Sequence, residues 1–514
     1  MNAPAGLPDS VGIAIIGTGF AGLGMAIRLL QSGNEDFAVF EKADSPGGTW
    51  RDNHYPGCAC DVQSHVYSFS FAPNARWTRM FAPQPEIRAY LDRCVDTYRL
   101  SPWLNFGHEL TNATWDERAH CWRLRFANGK RLSARVLISA MGGLSRPALP
   151  NIAGLGTFEG KAFHSQHWDH AYALEGKRVA VIGTGASAIQ FVPQIAPRAA
   201  KLTLFQRTPP WIMPKPDRAL TPFEQWMFRT LPFTQKLART GLYWMLESRV
   251  LGFAVHPGLM KHVQKLALRH IRRQIADPAL RKTVTPDYTI GCKRVLISND
   301  YYPALSRDNV RVETNAIERV DRSGVITADG THHEVDCLIY GTGFQVADPF
   351  APDTIVGRGG MDIVDTWRNG AHAYLGTSLP GYPNFFMLVG PNTGLGHNSM
   401  VFMIESQIEY VLGALAAMKA DKADSIEVRP QVEARYNERI QQKLGRAVWS
   451  VGGCKSWYID PRNGKNTTLW PGFTWRFRRA TARFSIADYQ VFRAPHAGET
   501  EPAFAVAAQS TEAA

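Results

Sequence analysis

The chain lacks most of the marks of a secreted, metal-binding or membrane-spanning protein. Its seven cysteines are spread over 514 residues and contain no Cys-x-x-Cys pair, which argues against a dithiol redox motif. Cys58-Ala59-Cys60 has a one-residue spacer that suits neither a metal nor a disulfide, so both are read as ordinary residues. Met1 to Ser10 carries no basic side chain, so no leader is expected there, and the setting is expected to be cytoplasmic and reducing. No uninterrupted stretch of 18 apolar residues exists, so no transmembrane segment is expected. His332-His333-Glu334 has no partner cluster, leaves no metal site in view, and is expected on a turn before a strand. The net charge of +12 invites a nucleic-acid reading, but the basic residues are scattered. The densest early stretch, Arg118 to Arg135, holds no reader motif. A mild positive field that draws in an anionic cofactor is the simpler account, with no nucleic-acid partner.

What the chain does have is size and glycine in particular places. With 514 residues, 45% apolar and 20% charged, it is long enough for two or three domains of ordinary globular composition. Two glycine-rich loops stand about 165 residues apart, each after an apolar strand. The first is Gly17-Thr18-Gly19-Phe20-Ala21-Gly22, and its following strand, Phe37 to Phe40, ends on Glu41. The second is Gly183-Thr184-Gly185-Ala186-Ser187-Ala188, and its following strand, Leu202 to Gln206, ends on Arg207. In both, the terminal residue lies 24 positions beyond the first glycine. This is the spacing of a dinucleotide-binding βαβ unit, whose helix N-terminus faces the pyrophosphate. A carboxylate at the strand end accepts hydrogen bonds from ribose hydroxyls, whereas a guanidinium pairs with a 2′-phosphate. FAD at the first loop and NADPH at the second are the simplest pair that fits.

The organisation expected is α/β: two Rossmann-like domains, the second inserted in the first, with a helical insert. The FAD part would span 11–145 and 346–495, and the NADP part 146–215 and 286–345. Residues 216–285 would form the insert, and 1–10 and 496–514 disordered termini. The insert is helical in pattern, rich in Trp, Phe and Leu alternating with Arg and Lys, and is expected to pack on the cofactor domain; a membrane surface is the other reading.

Phe158-Glu159-Gly160-Lys161-Ala162-Phe163-His164-Ser165-Gln166-His167-Trp168-Asp169 matches the FxGxxxHxxxW(P/D) fingerprint of type I Baeyer–Villiger monooxygenases at every defined position. The chain resembles that family over most of its length, through Gly47-Gly48-Thr49-Trp50, Tyr55-Pro56-Gly57, Cys60-Asp61, Gly291-Cys292-Lys293-Arg294 and Gly390-Pro391-Asn392-Thr393-Gly394. One departure is Gly341, where the family commonly has Ala before Thr342-Gly343. Another is Ala188 closing the second loop, which the motif permits.

The resemblance implies an NADPH-dependent flavin monooxygenase. NADPH would reduce FAD, the flavin would form a C(4a)-peroxide with O2, and a ketone would leave as an ester or lactone. Arg294 would be the catalytic cation that stabilises the anionic oxygen, oriented by Asp61, since an arginine cannot lose its proton. Lys293 would reach the NADP 2′-phosphate beside Arg207 and Thr208, and Trp457 would cover the nicotinamide. Phe20, Gly48, Thr49, Trp50 and Tyr67 would contact FAD. His164 and Trp168 would couple domain motion rather than touch substrate. A nitrogen- or sulfur-oxygenating flavin monooxygenase is the alternative, with sulfides as a second substrate class. A disulfide reductase lacks its Cys-x-x-Cys, and a non-catalytic dinucleotide sensor leaves Arg294 and Asp61 without a task. The ketone class and the oligomeric state are not readable from the sequence.

Overall fold

The computed structural model describes residues 8–346 and 349–493. The termini expected at 1–10 and 496–514 lie outside these residues except for 8–10, and Ser10 already opens a strand. The first sheet is built on β1 (Ser10–Ile16), whose last five residues are all buried, as a central strand covered on both faces requires. β2 (Phe37–Phe40) and β3 (Leu104–Asn105) extend it in parallel on one side. β4 (Leu110–Asp116), β5 (Cys121–Phe126) and β6 (Arg131–Ser139) form an antiparallel meander whose last strand lies parallel to β1 on the other side. The start of β6 pairs with β5, and its end pairs with Phe385–Met387, while Ile355–Val356 adds to β4. The chain beyond residue 349 therefore returns to the sheet it began.

The second sheet holds β7 (Lys161–His164), β8 (Arg178–Ile182), β9 (Lys201–Phe205), β10 (Val310–Glu313) and β11 (Cys337–Tyr340). All its pairings are parallel, in the order β10-β9-β8-β11-β7. α1 (Phe20–Gln31) links β1 to β2, and α2 (Ala188–Ile195) links β8 to β9. His332–Glu334, expected on a turn, is itself a strand antiparallel to Gly324–Thr327. Its exposed-buried-exposed alternation turns His333 inward, edge-on to Phe205, a period-two signal too short to read in sequence.

Between β9 and β10 lie α3 (Pro222–Thr230), α4 (Pro232–Ser248) and α5 (Met260–Gln274). α3 starts at a capping box: Thr221 Oγ1 accepts from the Glu224 N–H, and the Glu224 carboxylate accepts from the Thr221 N–H. α6 (Met400–Ala420) has the length and apolarity to cross a membrane, alone among the described residues. It is a core helix: Gln407, fully buried at its middle, donates to the Gly376 carbonyl and accepts from the Val389 N–H. One apolar core runs through both sheets and the insert, joining Ile15, Val181, Phe191, Ile271 and Trp449.

Candidate functional site

The two glycine loops turn alike at their first glycine, although α1 begins at Phe20 and α2 two motif positions later, at Ala188. Gly17 and Gly183 each take φ +108°. A Cβ on Gly17 would lie 2.6 Å from the Ala140 oxygen, and one on Gly183 would lie 2.4 Å from the Gly341 oxygen. A Cβ on Gly22 would lie 1.8 Å from the Gly17 oxygen, so that glycine closes α1 onto β1. Gly19 and Gly185 differ: nothing lies nearer than 3.8 Å and 3.9 Å to their missing side chains, which keeps both loop mouths open. Gly19, the N-cap of α1, has no side chain to offer, and Ser187 makes no capping bond to α2. First-turn N–H groups at each loop are thus available to a phosphate, and these cradles fit the pyrophosphates of FAD and NADP. Gly341 faces Ala188: a Cβ on Gly341 would come within 3.3 Å of the Ala188 methyl, so the larger residue at one position accompanies the smaller at the other.

Glu41 is buried at the end of β2, and its oxygens are already engaged. They accept from the Thr18 N–H at 3.0 Å, the Thr18 hydroxyl at 2.6 Å and the Ala43 N–H at 3.1 Å, and pair with Arg51 at 3.0 Å. Burial raises its pKa, but these donors outweigh that and hold it below the usual carboxylate range. A ribose at Glu41 would have to share these bonds. The Arg51 pairing was not visible in the sequence. Phe20, Trp50 and Tyr67 pack together beside the loop: Trp50 Nε1 donates to the Tyr67 hydroxyl at 3.1 Å, and the Phe20 and Tyr67 rings meet edge-to-face.

Across the molecule, Arg207 and Thr208 follow β9, and Lys293 lies on a loop zipped to theirs. Trp211 Nε1 donates to the Tyr288 carbonyl, the Tyr288 hydroxyl donates to the Pro209 carbonyl, and Lys293 Nζ stands 4.9 Å over the Tyr288 ring. Thr184 ties in the glycine loop by donating to the Thr208 carbonyl. Burial, then the nearby charge of Arg207, lowers the Lys293 pKa. Among the described residues neither cation forms a salt bridge, so two positive groups converge where a phosphate would lie.

Beside the second loop, and reaching Thr49, Trp50 and Tyr67, lies a cavity of about 1170 Å³, larger than a single small-ligand pocket. Thr49, Trp50, Asp61, Tyr67, Gly183, Thr184, Gly185, Ser187, Arg207, Thr208, Lys293, Arg294 and Trp457 all line it. Gly17, Gly19, Phe20, Gly22, Glu41, Gly48 and Ala188 lie outside its lining. On its wall Arg294 donates from Nε to Asp61 Oδ2 at 2.9 Å, and from Nη2 to Oδ1 at 2.8 Å and Oδ2 at 2.6 Å. The carboxylate raises the guanidinium pKa still further, against its desolvation. About a third of the Arg294 side chain (32%) stays exposed, as part of the cavity wall. Tyr458, buried beside this pair, has its pKa pushed up to about 12 by burial, with the Arg294 charge pulling the other way. Its place was not read from sequence, although it follows Trp457 directly.

The fingerprint segment is a joint rather than a cavity wall. Trp168 is buried with its ring 5.2 Å from those of Phe163 and Phe191, and Asp169 pairs with Lys161 at 2.6 Å. His164 is buried, its Nδ1 accepts from the Gln166 N–H at 3.1 Å, and burial lowers its pKa to about 4. Gln190 of α2 makes a second joint, accepting from the Tyr55 hydroxyl and donating to the Ala59 carbonyl two residues before Asp61. Cys58 and Cys60 are free and buried, as expected. The expectation of uniformly reduced cysteines does not hold for Cys292 and Cys454, which form a disulfide across 162 positions. No local motif announces this pair; the fold brings their loops together, and Thr289 N–H donates to the Gly452 carbonyl alongside.

The family model described as flavin-binding monooxygenase-like matches residues 128–364, and that of an NAD(P)-binding Rossmann-like domain matches residues 15–83. A protein of Pseudomonas aeruginosa named Baeyer–Villiger monooxygenase is 59% identical, covering 94% of this chain and 92% of its own. The closed crystal structure of cyclohexanone monooxygenase matches with a TM-score of 0.84 at 27% identity, covering 95% of this chain and 100% of that one. OTEMO in complex with FAD and NADP matches with a TM-score of 0.83 at 26% identity, covering 95% and 100%.

Proposed function

The chain belongs to the Baeyer–Villiger monooxygenases, and from that premise we propose that Arg294, held by Asp61, organises the insertion of an oxygen atom beside a ketone carbonyl. It is an FAD- and NADPH-dependent flavin monooxygenase. We read the sheet built on β1, with 11–145 and 346–495, as the FAD domain, and the sheet built on β8, with 146–215 and 286–345, as the NADP domain. Residues 216–285 are the helical insert. The cytoplasm, where NADPH is regenerated, is the compartment this reading favours.

Reduced by NADPH, bound FAD supplies the activation of O2, one atom of which enters the product ester or lactone while the other leaves as water. The chain's own residues supply position, charge and dryness. The first-turn N–H groups of α1 and α2 hold the two pyrophosphates, and Arg207 with Lys293 takes the 2′-phosphate. Asp61 fixes the guanidinium of Arg294 by two-point contact, so its positive charge needs no reorganisation when negative charge develops on oxygen. An arginine donates hydrogen bonds without giving up its proton, which keeps a basic oxygen from being quenched. Trp457 and the buried Tyr458 wall off this corner, limiting water.

The observation that carries this reading is the Arg294–Asp61 pair on the wall of a cavity that the second glycine loop and Thr49, Trp50 and Tyr67 also line. The test is incubation of the flavin-loaded enzyme with NADPH, O2 and a panel of linear, cyclic and aromatic ketones, with products identified by mass spectrometry. Ester or lactone formation is expected. Oxidation confined to amines and sulfides, with no ketone turned over, would reject it.

A further inference from the structure

Of the seventeen large apolar side chains exposed among the described residues, eleven lie between Phe223 and Leu266, in and around the helical insert. They are not scattered. On α4, Phe233, Leu237 and Trp244 follow one another at spacings of four and seven and so form a single stripe, 60%, 65% and 55% exposed. Gln235 and Leu246, on the opposite side of the helix, are buried. On α3, Phe223 and Trp226 stack on each other with ring centroids 5.8 Å apart, both turned outward. None of these exposed side chains lines the cavity, so substrate and cofactor binding there does not account for them.

The charge around this surface has one sign. From Thr221 to Arg273 there are nine Lys or Arg and only two acids. Neither acid is free: Glu224 caps α3 and pairs with Arg218, and Glu247 is buried, accepting from Asn398 and Thr474. Arg229 is exposed three positions after Trp226 on α3, Lys236 is exposed next to Leu237 on α4, and Lys261, Lys265 and Arg269 are exposed on α5. A second copy packed on the same face would bring like charge against like charge.

We propose that the α3–α4 face docks on an anionic lipid bilayer. The aromatic and leucine side chains would enter the boundary between headgroups and acyl chains, while the lysines and arginines pair with lipid phosphates. Exposed Trp and Phe beside uncompensated cations is the composition of an interfacial helix, and an area this apolar is uncommon on a surface that meets only water.

The test uses the flavin-loaded full chain and vesicles of phosphatidylcholine with or without phosphatidylglycerol. Co-sedimentation is expected with the anionic vesicles, falling at high salt, and about tenfold weaker with phosphatidylcholine alone. Trp226→Ser combined with Trp244→Ser should weaken binding by about tenfold or more. Arg229→Glu combined with Lys236→Glu should do the same on anionic vesicles, and both pairs should leave turnover of a water-soluble ketone unchanged. Brominated acyl chains should quench fluorescence in the wild type more than in Trp244→Phe. Failure of the wild type to bind anionic vesicles, or equal binding by the variants, overturns the proposal. A dimer by light scattering that dissociates in the Trp226→Ser, Trp244→Ser variant also overturns it, in favour of self-association.

Discussion

Arg294 and Asp61 lie 233 positions apart in the chain, yet the guanidinium meets both oxygens of the carboxylate through Nε and Nη2 at 2.6–2.9 Å. One comes from the loop before Leu296–Ile297, in the span of chain that builds the second sheet, and the other from the loop after Tyr55-Pro56-Gly57, in the part that builds the first. The pair therefore depends on the two halves being docked.

Arg294→Ala should reduce ester formation by about 10²- to 10³-fold or more, the range for losing a preorganised donor to developing negative charge. FAD reduction by NADPH in the absence of O2 should stay within a few-fold, because hydride transfer needs no anion stabilised at that point. Arg294→Lys should rescue little, since an ammonium cannot make the two-point contact with Asp61. Stopped-flow absorbance of the flavin separates the two half-reactions. Ester yield near wild type in Arg294→Ala would remove the residue from the mechanism.

Arg207→Ala and Lys293→Ala should each raise KM for NADPH by roughly 10- to 100-fold, as expected for a charge-assisted hydrogen bond worth about 1.5–3 kcal/mol. KM for NADH, which has no 2′-phosphate, should move far less. Steady-state kinetics with both nucleotides checks this. An equal rise for both would place the two cations elsewhere on the cofactor.

The two glycine loops and the strands around them were legible because their physics is local. A glycine at φ +108°, a small residue where helix meets strand and a charged residue at a strand end all fall within one βαβ unit. Glu41 was legible as an acid but not as an occupied one, because Arg51 reaches it through a fold-dependent contact. Tyr458, Gln190 and the Cys292–Cys454 bond were not legible, since each owes its role to residues more than a hundred positions away. His333 was misplaced on a turn because a three-residue strand has too little periodicity to declare itself.

Acid should destabilise the protein through two buried histidines. Burial lowers His164 and His65 from 6.5 to about 4, so between those values the unfolded chain binds more protons than the folded one. Their neutral rings are fully compatible with folding above pH 6.5, and stability falls as the pH drops toward 4. His164→Gln keeps an acceptor for the Gln166 N–H but removes one proton-binding site from the unfolded chain. Its Tm, followed by flavin release, should therefore fall less between pH 7 and pH 5 than that of the wild type. An identical fall would mean that His164 is not held neutral.

The disulfide joins the residue before Lys293-Arg294 to a segment three positions ahead of Trp457. It pins the segment that carries a cavity-lining Trp, 47% exposed, to the loop that carries Arg294. A segment so fixed has less conformational freedom to lose when it closes over a bound nucleotide, so removing the tether should weaken the closed state. A dithiol reductant would convert the bond to two thiols while itself forming a disulfide. After such treatment, or in Cys454→Ser, KM for NADPH should rise several-fold. A larger share of the NADPH consumed should appear as hydrogen peroxide rather than ester, because water would enter more readily. Cys292→Ser and the double variant should behave alike and should not respond to the reductant. Wild-type enzyme whose coupling is unchanged by full reduction, verified by thiol titration, would show that packing alone holds the segment in place.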